Sequence, residues 1–127
     1  MSRISARETL MKIVFGFHFN KSSIELDEIL TEENLNDEDK AYITENLEGI
    51  KNNFDDIIKI IESNLVNYKL ERICKTDLAI LIVAIYEIKF LNFPNKVVIN
   101  EAIELSKKYS LDNSYKFVNG LLAKVVN

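Results

Sequence analysis

Two short stretches of the chain carry residue types that suit contact with a nucleic acid. The first is the N-terminal segment, in which Arg3 and Arg7 lie one helical turn apart and off the apolar stripe. We therefore expect both side chains to point to solvent or to a ligand. Amide groups at a helix N-terminus, together with guanidinium groups, can bind phosphate. Two ordinary surface arginines are the alternative interpretation.

The second stretch runs from Tyr115 to Gly120. Here Lys116, Asn119 and Gly120 interrupt an otherwise apolar helical pattern, and Phe117 lies among them. A charge, an amide and a ring are groups that hold single-stranded RNA by stacking and hydrogen bonding. Glycine costs a helix interior about 1 kcal/mol relative to alanine. Close packing of a neighbouring helix at Gly120 is therefore the alternative interpretation.

The residues that usually carry catalysis are scarce. The chain has one histidine, His18, and one cysteine, Cys74, which are too few for a metal cluster or a nucleophile–base set. It also has no glycine-rich phosphate loop. We expect a binding protein that is not an enzyme and holds no metal and no cofactor.

The single cysteine also excludes an intramolecular disulfide, which argues against a secreted disulfide scaffold. The longest apolar run, Leu78 to Ile85, is far shorter than the roughly 18–20 residues that span a bilayer. We expect a cytoplasmic protein with no membrane partner.

Charge is distributed unevenly along the chain, although the net charge is only −4. Residues 1–21 carry +3, residues 25–56 carry −10 and residues 57–127 carry +3. A polyanion would be repelled by the middle segment and tolerated by the two ends. Any nucleic-acid contact must therefore use a local patch.

The 127 residues include only 3 glycines and 1 proline, too few for the many turns of an all-β domain. Apolar residues instead recur at helical spacing, and the run from Leu78 to Ile85 is apolar on every side, as in a central helix. A buried strand is the competing interpretation of this run. The predicted helices begin near Ser5 or Ser2, Ser22 or Ser23, Asn36 or Asp37, Thr76 or Asp77, Pro94, and Asn113 or Ser114. Gly49 and the Asn52-Asn53 pair are weak helix formers, so we expect a bend or a break there that divides the third of these segments into two helices. The sequence thus predicts an all-α fold of about seven helices.

Four motifs follow one another along the chain: Ala6-Arg7-Glu8 with the stripe from Leu10 to Phe15, then Leu81 to Ile88, Pro94 to Lys107, and Lys116 to Leu122. In this order they resemble the transcription antitermination protein NusB family. The resemblance covers essentially the whole chain, so we expect one NusB-like RNA-binding domain over residues 1–127. It implies an all-helical fold of two small packed bundles and a role without catalysis.

The resemblance also implies partners. Members of the family bind boxA-type single-stranded RNA together with NusE, which is also a small-subunit ribosomal protein. The pair supports read-through by RNA polymerase within an antitermination complex, chiefly in ribosomal RNA operons. Some members form homodimers, and both a monomer and a homodimer are compatible with the sequence.

Residue by residue, the resemblance implies an RNA-binding role for two segments. Arg3 and Arg7 match the arginine segment of the family that contacts RNA. Lys116, Phe117 and Asn119 match the motif of the last helix, near the RNA and the protein partner.

The resemblance further implies a partner-binding role for Phe15, Thr76 and Asp77. Phe15 stands where the family usually has tyrosine, on the side facing NusE, and Thr76 and Asp77 match a region at the start of the central helix. The arginine segment is thinner here than the usual run of several arginines, so the salt dependence of RNA binding should be shallow. We expect NusE to matter more for RNA binding as a result.

Two other hypotheses remain at this point. The acidic segment, residues 25–56, suits a protein-interaction module that docks a basic protein and has no RNA role. A similar helical domain also occurs at the N-terminus of some ribosomal RNA methyltransferases, but residues 1–127 contain no nucleotide-binding unit, which disfavours that hypothesis.

Overall fold

The computed structural model describes residues 3–18, 35–66 and 68–126, with only the backbone described at residues 3–5 and 17–18. Every regular element in these ranges is helical. A single 3-10 turn, Leu70–Arg72, precedes the central helix. The α-helices are α1 (Arg3–His18), α2 (Asp37–Asn52), α3 (Phe54–Ser63), α4 (Lys75–Lys89), α5 (Asn95–Tyr109) and α6 (Ser114–Val126).

The start and end of α2 follow directly from its sequence. Asn36 is the N-cap, and its side-chain oxygen accepts a hydrogen bond from the amide of Asp39 at 2.8 Å. At the other end, the amide of Asn53 bonds back to Gly49 and Ile50, and α3 begins at Phe54. The predicted break near the two asparagines is confirmed.

Helix α4 is the centre of the molecule, as its all-round apolar sequence predicts. Every residue from Asp77 to Ile88 is buried, and the strand interpretation of this run is wrong. The helix begins at Lys75, one residue before the predicted start. Pro94 directly precedes α5 as its N-cap residue, where its missing amide hydrogen costs no helical hydrogen bond.

The other helices pack around α4 in two sets. Helices α1 and α2 pack on each other and on α4, while α5 and α6 pair most extensively with each other and also pack on α4. Helix α3 connects the sets, since it contacts α2, α4 and α6. The all-α fold is confirmed for the residues described. The short helix predicted from Ser22 or Ser23 lies outside them.

Candidate nucleic-acid interface

A groove lies between α6 and the segment that follows α3. It has a volume of about 240 Å³ and is bordered by three residues of the stretch from Tyr115 to Gly120, namely Lys116, Phe117 and Gly120. The remaining lining residues come from both walls: Asn64, Leu65, Val66, Tyr68, Leu121 and Lys124. Asn119 is exposed on the same helix but is not among the lining residues. The fold thus brings most of the predicted motif to one concave surface.

Gly120 does not serve close helix packing. A Cβ atom built at this position meets no described atom within 4 Å, whereas close packing would place a neighbour there. That interpretation of the glycine is wrong for the part of the chain described. The absence of a side chain instead leaves this side of the groove open.

An aromatic pair forms part of the groove wall. The ring centroids of Tyr68 and Phe117 lie 5.5 Å apart with the planes tilted by 39°, which is direct ring contact. The hydroxyl of Tyr68 donates a hydrogen bond to the carbonyl oxygen of Arg72 at 2.9 Å. Across the groove, the Lys124 ammonium lies 3.5 Å from the carbonyl oxygen of Asn64. These contacts hold the Tyr68 ring and place the Lys124 ammonium at the edge of the groove.

Arg7 is buried, which corrects the expectation that it points to solvent. Only 6% of the residue is exposed, and its Nε lies 2.8 and 2.9 Å from the two carboxylate oxygens of Glu87 in α4. Tyr42 donates a third hydrogen bond to Glu87 at 2.7 Å. Arg7 Nη1 also lies 3.9 Å from the carboxylate of Glu101 in α5. A guanidinium satisfied in this way anchors α1 to the core.

The two segments predicted to contact RNA, at the start of α1 and on α6, therefore have separate sets of neighbours. Arg7 faces α4 and α5, whereas Lys116 lines the groove beside the segment after α3. Arg3 begins α1, and its side chain lies outside the described residues. The structure thus joins Lys116 and Phe117 but does not join Arg7 to them.

A second cavity, also of about 240 Å³, brings together two of the three predicted partner-binding residues. Phe15 of α1 and Thr76 of α4 line it with Met11, Lys12 and Tyr109. Phe15 is 38% exposed, so part of its ring is available to another molecule. Asp77 is separate: it is buried, and the hydroxyl of Ser106 lies 3.5 Å from its carboxylate.

An ionic cluster borders this second cavity and joins α1 to the end of α5. Glu8 accepts a hydrogen bond from the Tyr109 hydroxyl and pairs with the Lys108 ammonium at 3.1 Å. Burial raises the pKa of Glu8, but Tyr109, Lys108 and Lys12 together outweigh it, so the net pKa lies below the ordinary value. The ammonium groups of Lys12 and Lys108 lie 5.6 and 5.2 Å from the centre of the Tyr109 ring.

Within the described ranges, no three His, Cys, Asp or Glu residues are grouped so that they could hold a metal ion. No helix in those ranges has the length and apolar character needed to cross a membrane.

The sequence profile of the NusB family matches residues 4–127, almost the entire chain. The chain belongs to the NusB family. A transcription antitermination protein NusB from Clostridium novyi is 47% identical over 133 residues, which cover 99% of this chain and 98% of that protein. The resemblance expected from the four motifs is thus confirmed.

Solved structures of NusB proteins have the same fold. One of T. maritima NusB superposes with a TM-score of 0.86 at 33% identity, covering 98% of this chain and 90% of that one. Another contains the antitermination factors NusB and NusE in complex with double-stranded RNA. It superposes with a TM-score of 0.87 at 25% identity, covering 97% of this chain and 94% of that one.

Several residues at these candidate sites were missed by the sequence analysis. Glu87 had a usable signal, because a lone carboxylate within an apolar helix requires a buried partner. Tyr68 and Lys124 had no such signal in the sequence. Tyr68 lies in a linker, and Lys124 follows ordinary helical spacing. Tyr109, the last residue of α5, lies at the rim of the second cavity.

Proposed function

We propose that this chain is a transcription antitermination factor that binds boxA-type RNA together with the ribosomal protein NusE. The family match over residues 4–127 carries the proposal, and the NusB–NusE assembly on RNA in a protein of the same fold supports it. The chain acts in the cytoplasm as one domain and without catalysis. It supports read-through by RNA polymerase, chiefly in ribosomal RNA operons.

The cavity lined by Phe15 and Thr76 is the proposed NusE surface. Its exposed aromatic ring and apolar lining suit the hydrophobic centre of a protein interface. Asp77 contributes as a positioning residue, because its carboxylate at the start of α4 faces Ser106 of α5. The Glu8 cluster at the rim holds α1 and α5 together on either side of this surface.

The RNA surface comprises Arg3 at the start of α1 and Lys116, Phe117 and Asn119 on α6. Lys116 and Asn119 are exposed, so a charge and an amide are available to phosphates and bases. Arg7 serves this surface indirectly, since its guanidinium is bound by Glu87 and fixes the helix that begins at Arg3.

The proposal is tested by titrating a fluorescent boxA-type RNA with the chain alone and with its NusE complex. We expect the complex to bind more tightly than the chain alone, and a scrambled RNA to bind more weakly than boxA. Lys116→Gln should weaken RNA binding and reduce its salt slope by about 0.7, the value for one phosphate contact on a single strand. It should leave NusE affinity unchanged.

Phe15→Ala provides the matched control on the other surface. It should weaken NusE binding while leaving the RNA affinity of the chain alone unchanged. A complex that forms with NusE but never prefers boxA RNA would contradict the proposal and favour a protein-interaction module. Light scattering on the same samples would distinguish a monomer from a homodimer.

A further inference from the structure

The groove beside α6 is small and positively charged. At about 240 Å³ it is smaller than the roughly 300–1,000 Å³ of pockets for drug-sized ligands. Its lining includes two lysines, Lys116 and Lys124, and no carboxylate, although the whole chain carries a net charge of −4. This local reversal of charge favours an anionic ligand.

Tyr68 supplies this groove with a fixed aromatic surface. The residue is 43% exposed, although Phe117 lies against its ring and its hydroxyl is bound to the Arg72 carbonyl. Because the two rings are in direct contact, no base fits between them. A base can stack only on the outer part of the pair. The ring is already held in place, so little conformational entropy is lost when a base binds.

Both lysines of the groove lie on α6. Lys116 and Lys124 are separated by eight residues of α6, roughly 12 Å along the helix axis, so they can contact different phosphates of one strand. Lys124 lies near the Asn64 carbonyl and retains further donors for a phosphate. Beside Tyr68, exposed Lys69 and Arg72 outnumber the one carboxylate of that turn, Glu71.

We propose that Tyr68 is a stacking platform for one unstacked RNA base and that Lys124 holds a phosphate of the same strand. This inference rests on the proposed RNA-binding function and extends the RNA surface from α6 to the linker before α4. Base stacking on an aromatic side chain tolerates any base, so this contact adds affinity and selects single-stranded over paired RNA.

The test uses the full chain in complex with NusE and a single-stranded boxA-type RNA, with the same RNA annealed to its complement as the second ligand. Tyr68→Leu removes the ring and should weaken single-strand binding by about 5- to 150-fold, the range for one stacked base. The salt slope should not change, because the lost group is neutral. Tyr68→Phe keeps the ring and should retain most of the affinity.

Two further variants test the phosphate contact of Lys124 and the specificity of the effect for the Tyr68 ring. Lys124→Gln should reduce the salt slope by about 0.7. Phe90→Leu, at an exposed ring that stacks on Tyr86 instead, should leave RNA binding unchanged. With 2-aminopurine at successive RNA positions, one position should be quenched by the wild-type and Tyr68→Phe complexes but not by Tyr68→Leu. Circular dichroism and NusE affinity check that each variant is folded.

The possible failures are distinguishable. If the wild-type complex does not bind the RNA, the proposed function is wrong and this inference falls with it. If the wild-type complex binds and a folded Tyr68→Leu complex binds equally well, only the stacking platform is wrong. An equal loss of affinity for the duplex would also overturn it, because paired bases are not available for stacking on a side chain.

Discussion

Glu87 and Arg7 form the buried polar contact on which the position of α1 depends. Glu87 is 0% exposed and accepts hydrogen bonds from Arg7 on both carboxylate oxygens and from Tyr42 on one of them. An isolated charge at this depth would be strongly destabilising, whereas a hydrogen-bonded pair offsets much of the desolvation cost. The buried Arg7 side chain therefore stabilises the fold by neutralising the buried charge of Glu87.

The effects of removing the two charges of this pair should be strongly coupled. We expect Arg7→Met to lower the free energy of unfolding by about 3–5 kcal/mol, because the Glu87 carboxylate remains buried without its cation. Glu87→Gln should cost a similar amount, and the double variant clearly less than the sum. Urea unfolding of the four proteins measures the coupling. Strictly additive losses would contradict a direct ion pair.

At the scale of helices, Gly49 of α2 lies against the side chain of Tyr86 in α4. A Cβ atom built on Gly49 would overlap the hydroxyl and ring of Tyr86, which is itself buried. Burial and the nearby Glu45 carboxylate raise the pKa of Tyr86. The glycine, which breaks the helical pattern in the sequence, is thus explained by the ring of the neighbouring helix.

Glycine-to-alanine changes at Gly49 and Gly120 should have opposite effects on stability, because the space around the two glycines differs. Gly49→Ala gains helix propensity but forces Tyr86 to move, and we expect a net loss of about 1–3 kcal/mol in unfolding free energy. Gly120→Ala meets open space and should stabilise the protein by up to about 1 kcal/mol. Urea or thermal unfolding measures both. A stabilising Gly49→Ala would show that Tyr86 relocates at little cost.

At the scale of the whole molecule, the Glu8 cluster links the first helix to the end of the fifth beside the proposed NusE surface. Glu8 and Lys108 are one hundred residues apart in the sequence, and Tyr109 binds the same carboxylate. Because the net pKa of Glu8 lies below its ordinary value of 4.5, folding favours the ionised carboxylate. The pair therefore contributes to stability only while Glu8 is charged.

The sign of the pH dependence follows from this. The stability contributed by Glu8 is present above its unfolded pKa and is lost as the pH falls through the lower folded pKa. We expect wild type to exceed Glu8→Gln in stability at about pH 6, with the difference shrinking towards about pH 3. Tyr109→Phe, which removes one hydrogen bond, should show a smaller pH dependence than wild type. A difference that stays constant over this range would contradict the expectation.

The helical class, most helix starts and the family were predictable from the residues alone. These depend on local information: the Asn36 cap, the break at Asn53, the apolar run of α4 and four contiguous motifs. Such features reflect interactions within a few residues, which spacing and residue type encode directly.

Which polar residues are buried and which share a surface depends on the packing of distant segments. The spacing of Arg7 in the sequence predicts a surface position. In the structure it is buried, because it forms an ion pair with Glu87, which lies 80 residues away in the chain. Phe15 and Thr76 line one cavity, and Tyr68 contacts Phe117, because packing brings together segments that are distant in the chain. These contacts form because a buried charge requires an opposite charge beside it and because the neighbouring helices pack on α4. The spacing of residues along the chain does not show either of these long-range effects.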